Sequence, residues 1–297
     1  MATSLTDQVR AACADIAANA RSVRIDTDRL AALDPGPLPE MDPERHYLEG
    51  DQADVATYVL TLDAINFGSG WFPTLRKRRG TNGTAVSGYF TVAWGLADRF
   101  RHAGPWTAAE LRAMRTEEIA DVVGQARDHE LMALFAQALR QLGAFLDGRT
   151  ALDVVAAAGG SAVRLAEQLA AGMPMFRDPG FFKRAQIAAS DLALAGVAAF
   201  DDLDDLTIFA DNLVPHVLRC DGVLVYDEGL AAHVDAGRLL RPGPQEREIR
   251  GCAVHACAAI AQRTGLTERD LDNALWYRGQ RPEYKARPRH RCRTIYY

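Results

Sequence analysis

Apolar residues recur three and four positions apart along most of the chain, the period of helices that each turn one face to a core. From Asp54, the residues Val55, Val59, Leu62 and Ile65 keep that period, so a helix runs to about Asn66 and passes into residues 66–72 (NFGSGWF), a loop both aromatic and glycine-rich. A helix resumes at 88–100, and Thr107 with Glu110 has the spacing of a capping box. Leu131, Leu134, Phe135, Ala138, Leu139, Leu142 and Phe145 form one long stripe, and Val163, Ala166, Leu169, Ala170 and Met173 a shorter one. Residues 180–196 predict a helix with Lys183, Ile187, Asp191 and Leu194 along one side, so two ionisable groups share a partly apolar face. Residues 245–263 predict another, with Ile249, Ala253, Ala256 and Ile260 inward and Glu248, Cys252 and His255 on an adjoining stripe. Thr267 and Asp270 then resemble the cap of a helix that carries Asp272 and Trp276. No alternating run is long enough for a substantial strand, and no regular βα alternation supports a Rossmann-like sheet. The expectation is a mainly α protein.

The stretch 206–226, LTIFADNLVPHVLRCDGVLVY, organises the rest, because it places one acid, Asp211, inside an apolar run beside Pro215. Proline fixes φ and disfavours helix at the residue before it, so the spacing predicts a short helix up to Asn212, a break, and a second helix from Pro215. Gly222 fits the position just past a helix end, with Val223, Leu224, Val225 and Tyr226 as a buried apolar segment. Asp211 in such a place is either a helix cap or arginine partner, or a catalytic carboxylate. Elsewhere, residues 34–39 (DPGPLP) read as a loop, and Asp42-Pro43 as the cap and first residue of a helix.

Composition narrows the function. With 297 residues, 48% hydrophobic and 25% charged, the chain can bury a large core as one domain or two closely packed lobes. A net charge of −5, with no long basic run before the last dozen residues, argues against long nucleic acid and for a small substrate. Five cysteines, no membrane-length apolar run and an amphipathic first helix without a secretory signal point to a reduced, cytoplasmic protein, so the sequon at Asn82 carries no weight.

Several features have a structural use beside a chemical one. Phe67, Trp71 and Phe72 roof a core or stack on a flat ring, with the loop glycines admitting close backbone approach. Lys183 snorkels to solvent and Asp191 pairs with a surface arginine, or both face a site. The residues 76–80 (RKRRG) make a solvated turn, and Asp201, Asp202, Asp204 and Asp205 supply a turn and cap before the central stretch. Cys252, His255 and Cys257 lack the paired local spacing of a structural zinc site, so no metal is expected. The closing ARPRHRCRTIYY is basic and aromatic and reads as a docked tail, its Arg291 and Arg293 suited to a phosphate or to surface acids.

Taken together, LDAINF (62–67), FKRAQIAASDL (182–192), LTIFADNLVPHVL (206–218), EIRG (248–251), LDNALW (271–276) and HRCRTIYY (290–297) resemble, in order and over most of the chain, the queuosine salvage protein family. The resemblance implies a mainly helical fold related in shape to DNA glycosylases and hydrolysis of queuosine 5′-phosphate to queuine and ribose 5-phosphate. It implies no cofactor or metal, a small nucleotide as partner, no long nucleic acid and no membrane, and leaves the oligomeric state open. The central motif of the family generally reads FADYRVPQ; here Asn212, Leu213 and His216 replace its tyrosine, arginine and glutamine, while Asp211 is kept. Lys183, Asp211, Glu248 and Asp272 fall on matching motifs. Asp211 is then expected beside C1′ of the sugar, with Lys183 as proton donor or phosphate partner. Asp191, Glu248 and Asp272 are candidate acceptors for the base, and Phe67, Trp71 and Trp276, following Asn66, are candidate stacking and contact residues. His216, His290 and Arg291 are candidates for the phosphate. Hydrolysis of another deazapurine or purine nucleotide, or binding of a modified base without turnover, are the competing readings.

Overall fold

The computed structural model describes residues 3–38, 40–81 and 83–297; Pro39 of the expected loop and Asn82 of the sequon lie outside the described residues. Helices dominate. The chain opens with α1 (Leu5–Asn19), α2 (Thr27–Ala32) and α3 (Gln52–Ala64), and continues through α4 (Gly88–Ala103), α5 (Ala108–Arg112), α6 (Thr116–Val122) and the long α7 (Glu130–Leu146). After α8 (Ala151–Ala157) and α9 (Ala162–Gly172) come α10 (Lys183–Leu194), α11 (Val214–Cys220), α12 (Glu228–Asp235), α13 (Pro244–Thr264), α14 (Glu268–Arg278) and the short α15 (Pro282–Lys285). Among the described residues the only strands are β1 (Val23–Ile25) and β2 (Leu224–Tyr226), paired antiparallel with Val23 opposite Tyr226.

The long stripes read from the sequence become the core. Leu131, Phe135, Leu139 and Leu142 of α7 are fully buried, as are Leu165, Ala166 and Leu169 of α9, and the apolar residues from α1 to α14 join in one contiguous cluster. α13, about 30 Å long at 1.5 Å per residue, packs against α1. Gly251 makes that approach possible, since a Cβ there would lie 2.6 Å from Ile16 Cγ2. Thr107 and Glu110 form the expected reciprocal cap of α5.

The structure corrects four local expectations. Residues 206–211 form no helix: their backbone is claimed by side chains of other elements instead of by one another. Gln186 Oε1 accepts from Thr207 N (2.9 Å), Asp272 Oδ1 accepts from Phe209 N (2.9 Å), and Arg250 Nε donates to Ala210 O (2.9 Å). α11 starts one residue before the proline, and the buried segment after Gly222 is the strand β2. Asp42 caps a turn through Glu44 N (2.9 Å) and starts no helix. Asp202 of the acidic cluster caps α9 across space, accepting from Ala162 N (2.6 Å) and Ser161 Oγ (2.5 Å).

The tail, 286–297, is docked. Arg184 of α10 donates to Ile295 O (2.8 Å) and to Ala64 O (2.5 Å), and the N–H groups of Gly68 and Ser69 donate to Tyr297 O. Gly70 lies so close to the tail that a Cβ would sit 2.4 Å from Cys292 O. The glycines of the aromatic loop therefore admit the tail.

Candidate active site

One cleft, about 1020 Å³ measured out to open solvent, gathers residues from the loop after α3, from α4, α10, the segment before α11, α14 and the tail. The side of α10 read from the sequence faces it in full: Lys183, Ile187, Asp191 and Leu194 all line the wall. α10 begins abruptly because Phe182 adopts φ 50°, a left-handed conformation that costs a non-glycine residue about 1 to 2 kcal/mol. Asp178 O holds that turn by accepting from Phe181 N (3.1 Å) and Phe182 N (2.9 Å). Lys183 is thereby committed to the first turn, pointing inward, where its Nζ donates to Asn66 O (3.1 Å).

Asp211 stands at the start of α11. Its Oδ1 accepts from Leu213 N (2.6 Å) and Val214 N (3.1 Å), so two backbone N–H groups fix the carboxylate, while Oδ2 takes no hydrogen bond from any described residue and the side chain lines the cleft. Behind it, Arg250 grips the preceding carbonyl of Ala210 and is held by Asp178 (2.5 Å), with its guanidinium over the rings of Phe181 and Tyr297. The acid thus caps the start of α11 and also faces the cleft.

Charge in the cleft is mixed. Burial holds Lys183 below the ordinary lysine range, and the Asp211 carboxylate is foremost among the charges that oppose the shift, followed by Asp63 and, more weakly, Asp272. Burial and then the charge of Asp211 push Asp272 up to about 7, against the pull of its hydrogen bond from Phe209 N. Asp63, fully buried behind Asn66 and accepting from its Nδ2 (3.1 Å), is pushed up to about 6 by burial. Arg289 from the tail lines the same cleft; burial lowers it while Asp211 opposes, and it makes no hydrogen bond or ion pair among the described residues.

An aromatic wall closes the other side. Trp276 meets Tyr89 at 5.4 Å and Tyr277 at 5.3 Å between ring centroids, both edge to face. His46 locks Tyr89. Its Nδ1 faces Asp42 O (2.7 Å), which only accepts, so Nδ1 carries the proton and Nε2 accepts from the Tyr89 hydroxyl (3.0 Å). Burial keeps His46 below its ordinary value and therefore neutral.

A family model described as queuosine salvage protein matches residues 45–297, a span that contains every cleft residue named so far. This chain belongs to the queuosine salvage protein family. It is 35% identical over 281 residues to a queuosine 5′-phosphate N-glycosylase/hydrolase of Sphaerobacter thermophilus, covering 87% of this chain and 86% of that protein. A protein of the same description from Mus musculus is 30% identical over 289 residues, covering 85% of each, and one from Nematostella vectensis 27% over 300. Within this family frame, α1, β1 and α2 lie before the matched region and serve as a brace for α13.

Of the residues singled out by sequence, Asn66, Phe67, Lys183, Asp191, Asp211, Asp272 and Trp276 come together in the cleft. Phe67 reaches it only marginally, since its ring packs on Phe135 (5.2 Å) and lies beneath the Arg184 guanidinium (4.6 Å). Five others are placed elsewhere. Trp71 roofs the core and donates through Nε1 to Glu130 (2.7 Å). Glu248 accepts from the backbone N–H groups of Arg21, Ser22 and Val23, anchoring β1 to α13. His216 contacts Tyr284 O (2.8 Å), and Arg291 donates to Gly237 O (2.5 Å). His290 is buried without a hydrogen bond and is pushed down to about 3 by burial, which leaves a neutral ring unsuited to a phosphate. Arg289, two residues before Arg291, lines the cleft, while the packing of the tail turns Arg291 to Gly237. Arg289, His46, Tyr89 and Tyr277 went unnoticed for the same reason: each reaches the cleft from an element whose orientation only packing sets.

Proposed function

We propose that this chain hydrolyses the N-glycosidic bond of queuosine 5′-phosphate, releasing queuine and ribose 5-phosphate. The observation that carries the reading is the carboxylate of Asp211, fixed by two N–H groups in a cleft that also holds Lys183, Arg289 and an aromatic wall. In the reaction, the C1′–N9 bond breaks with its electrons going to the base, water adds hydroxide to C1′, and the base takes up a proton. Positive charge builds on the sugar as the bond lengthens, and Asp211 opposes it at a fixed distance. The base is a 7-deazaguanine with carbon in place of N7, so the proton enters elsewhere.

Asp272 suits the guanine-like edge, accepting from the ring N1–H and the exocyclic amino group. Lys183 lines the same cleft as Asp211 and Asp272, and we assign it to the space between the sugar and that edge, where N3 of the base falls. Its ammonium, already destabilised by burial, is our candidate donor to N3. Trp276 supplies the stacking face, and the unpaired guanidinium of Arg289 receives the 5′-phosphate. We further propose that tRNA modification reuses the released base and that the reaction runs in the cytoplasm.

Incubating the purified protein with queuosine 5′-phosphate, its nucleoside and a panel of purine nucleotides, with mass-spectrometric detection of free base, tests the proposal. Release of queuine is expected from the 5′-phosphate ahead of the nucleoside, with and without a chelator. Cleavage of other nucleotides alone would reassign the substrate, and tight binding without any base release would make the protein a binder.

A further inference from the structure

Asp191 is the one buried acidic side chain among the described residues lining the cleft that the reaction above does not use. Its side chain is 8% exposed, it lines the wall, and no described residue gives it a hydrogen bond or an ion pair. An acid this buried without a partner is costly, and burial, followed by the charge of Asp63, holds Asp191 well above the ordinary carboxylate range. Two turns of helix separate it from Lys183, about 12 Å at 1.5 Å per residue, so it marks the end of the cleft away from the candidate proton donor.

Its neighbours are aromatic. Burial first and the Asp191 carboxyl next hold the phenol of Tyr89 above its ordinary range, and Asp191 bears on Tyr277 as well. Tyr89, Trp276 and Tyr277 form the edge-to-face wall described above, and the Tyr89 ring is fixed through His46. An unpaired, buried carboxylate lining the same cleft as these electron-rich rings is an arrangement for a desolvated organic cation. A neutral donor gains only a hydrogen bond there, whereas a cation also neutralises the charge and is attracted by the rings.

We propose that Asp191, with Tyr89, Trp276 and Tyr277, forms a subsite for a protonated amine carried on the 7-position of the base. The inference rests on the reading of the substrate as a 7-deazaguanine nucleotide, whose 7-substituent in queuosine is an aminomethyl group bearing a ring. Asp272 then reads the edge common to all guanine-like bases, and Asp191 distinguishes the modified base from an unmodified one. The carboxylate and the ammonium neutralise one another in the cleft, which gives the buried acid the partner it lacks among the described residues.

The test compares two bases of nearly equal size, 7-aminomethyl-7-deazaguanine and its neutral isostere 7-hydroxymethyl-7-deazaguanine, by calorimetry on the wild-type protein and on Asp191→Asn. Wild type is expected to prefer the amine by at least about tenfold, and the substitution to bring that ratio close to one. The ratio is insensitive to a general loss of affinity in the variant. Equal binding of the two bases by wild type would overturn the proposal even if the variant failed to fold, and so would an unchanged ratio in a folded variant. Because binding is read without turnover, a preference for the amine in a protein that fails to cleave queuosine 5′-phosphate would sink the hydrolase reading and leave the subsite standing.

Discussion

Asp211→Asn is the sharpest perturbation of the site. Asparagine retains the Oδ1 acceptor, so the hydrogen bonds from Leu213 N (2.6 Å) and Val214 N (3.1 Å) survive and α11 keeps its start. What goes is one negative charge in a cleft that also contains Lys183 and Arg289, for both of which Asp211 is the foremost charge opposing the effect of burial. Loss of a preorganised electrostatic group of this kind typically costs about 3 kcal/mol of transition-state stabilisation, which is about two orders of magnitude in turnover. Stability moves much less. Lys183 and Arg289 become harder to keep charged, while Asp272, pushed up to about 7 partly by Asp211, is relieved. Single-turnover release of base, measured beside thermal unfolding, separates the two consequences. A variant that unfolds near the wild-type temperature and turns over about a hundredfold more slowly is expected. A stable variant with wild-type turnover refutes a catalytic role, and a destabilised variant whose folded fraction turns over normally reduces Asp211 to a cap.

Two further predictions concern residues that sequence reasoning grouped together and the structure separates. Trp276→Ala should raise KM with little effect on unfolding, whereas Trp71→Ala, which empties a buried site and removes the bond to Glu130, should cost about 3 to 5 kcal/mol in stability and leave the KM of the folded fraction near wild type; equal effects on KM would contradict the placement of the two rings. Asp272 must be ionised to accept from the base, so KM should rise as pH falls through about 7, and Asp272→Asn should remove that dependence. The same raised group favours its protonated form in the folded chain, so its contribution to stability is complete below an ordinary aspartate value and lost as pH rises through about 7; the melting temperature of wild type relative to Asp272→Asn should fall over that interval, and a flat difference would exclude the buried, shifted carboxyl.

The division between sequence and tertiary structure follows from the range of the forces involved. Helical period is local, since residues three and four apart share a face whatever they pack against, and so the stripes of α7, α9 and α13 and the cap at Thr107 were legible without coordinates. The same rule placed Lys183 and Asp191 on one side of α10, and the ordered motifs led to the family. Residues 206–211 were misread because Gln186, Asp272 and Arg250, each remote in sequence or on another element, take the backbone groups that a helix would have bonded internally. Nothing in the local pattern announces such partners. Trp71 and Glu248 were equally attractive by residue type, yet one roofs the core and the other anchors β1, because the direction of a loop or a helix stripe is decided by what packs on its far side. Arg289 is the converse case: an arginine indistinguishable in sequence from Arg291, turned to the cleft by an extended tail that Arg184 and Gly70 hold in place. The sequence by itself determined most of the helices and singled out the acid; which side chains meet that acid was set by long-range packing, where the energy of burying and pairing each group depends on neighbours that local pattern does not contain.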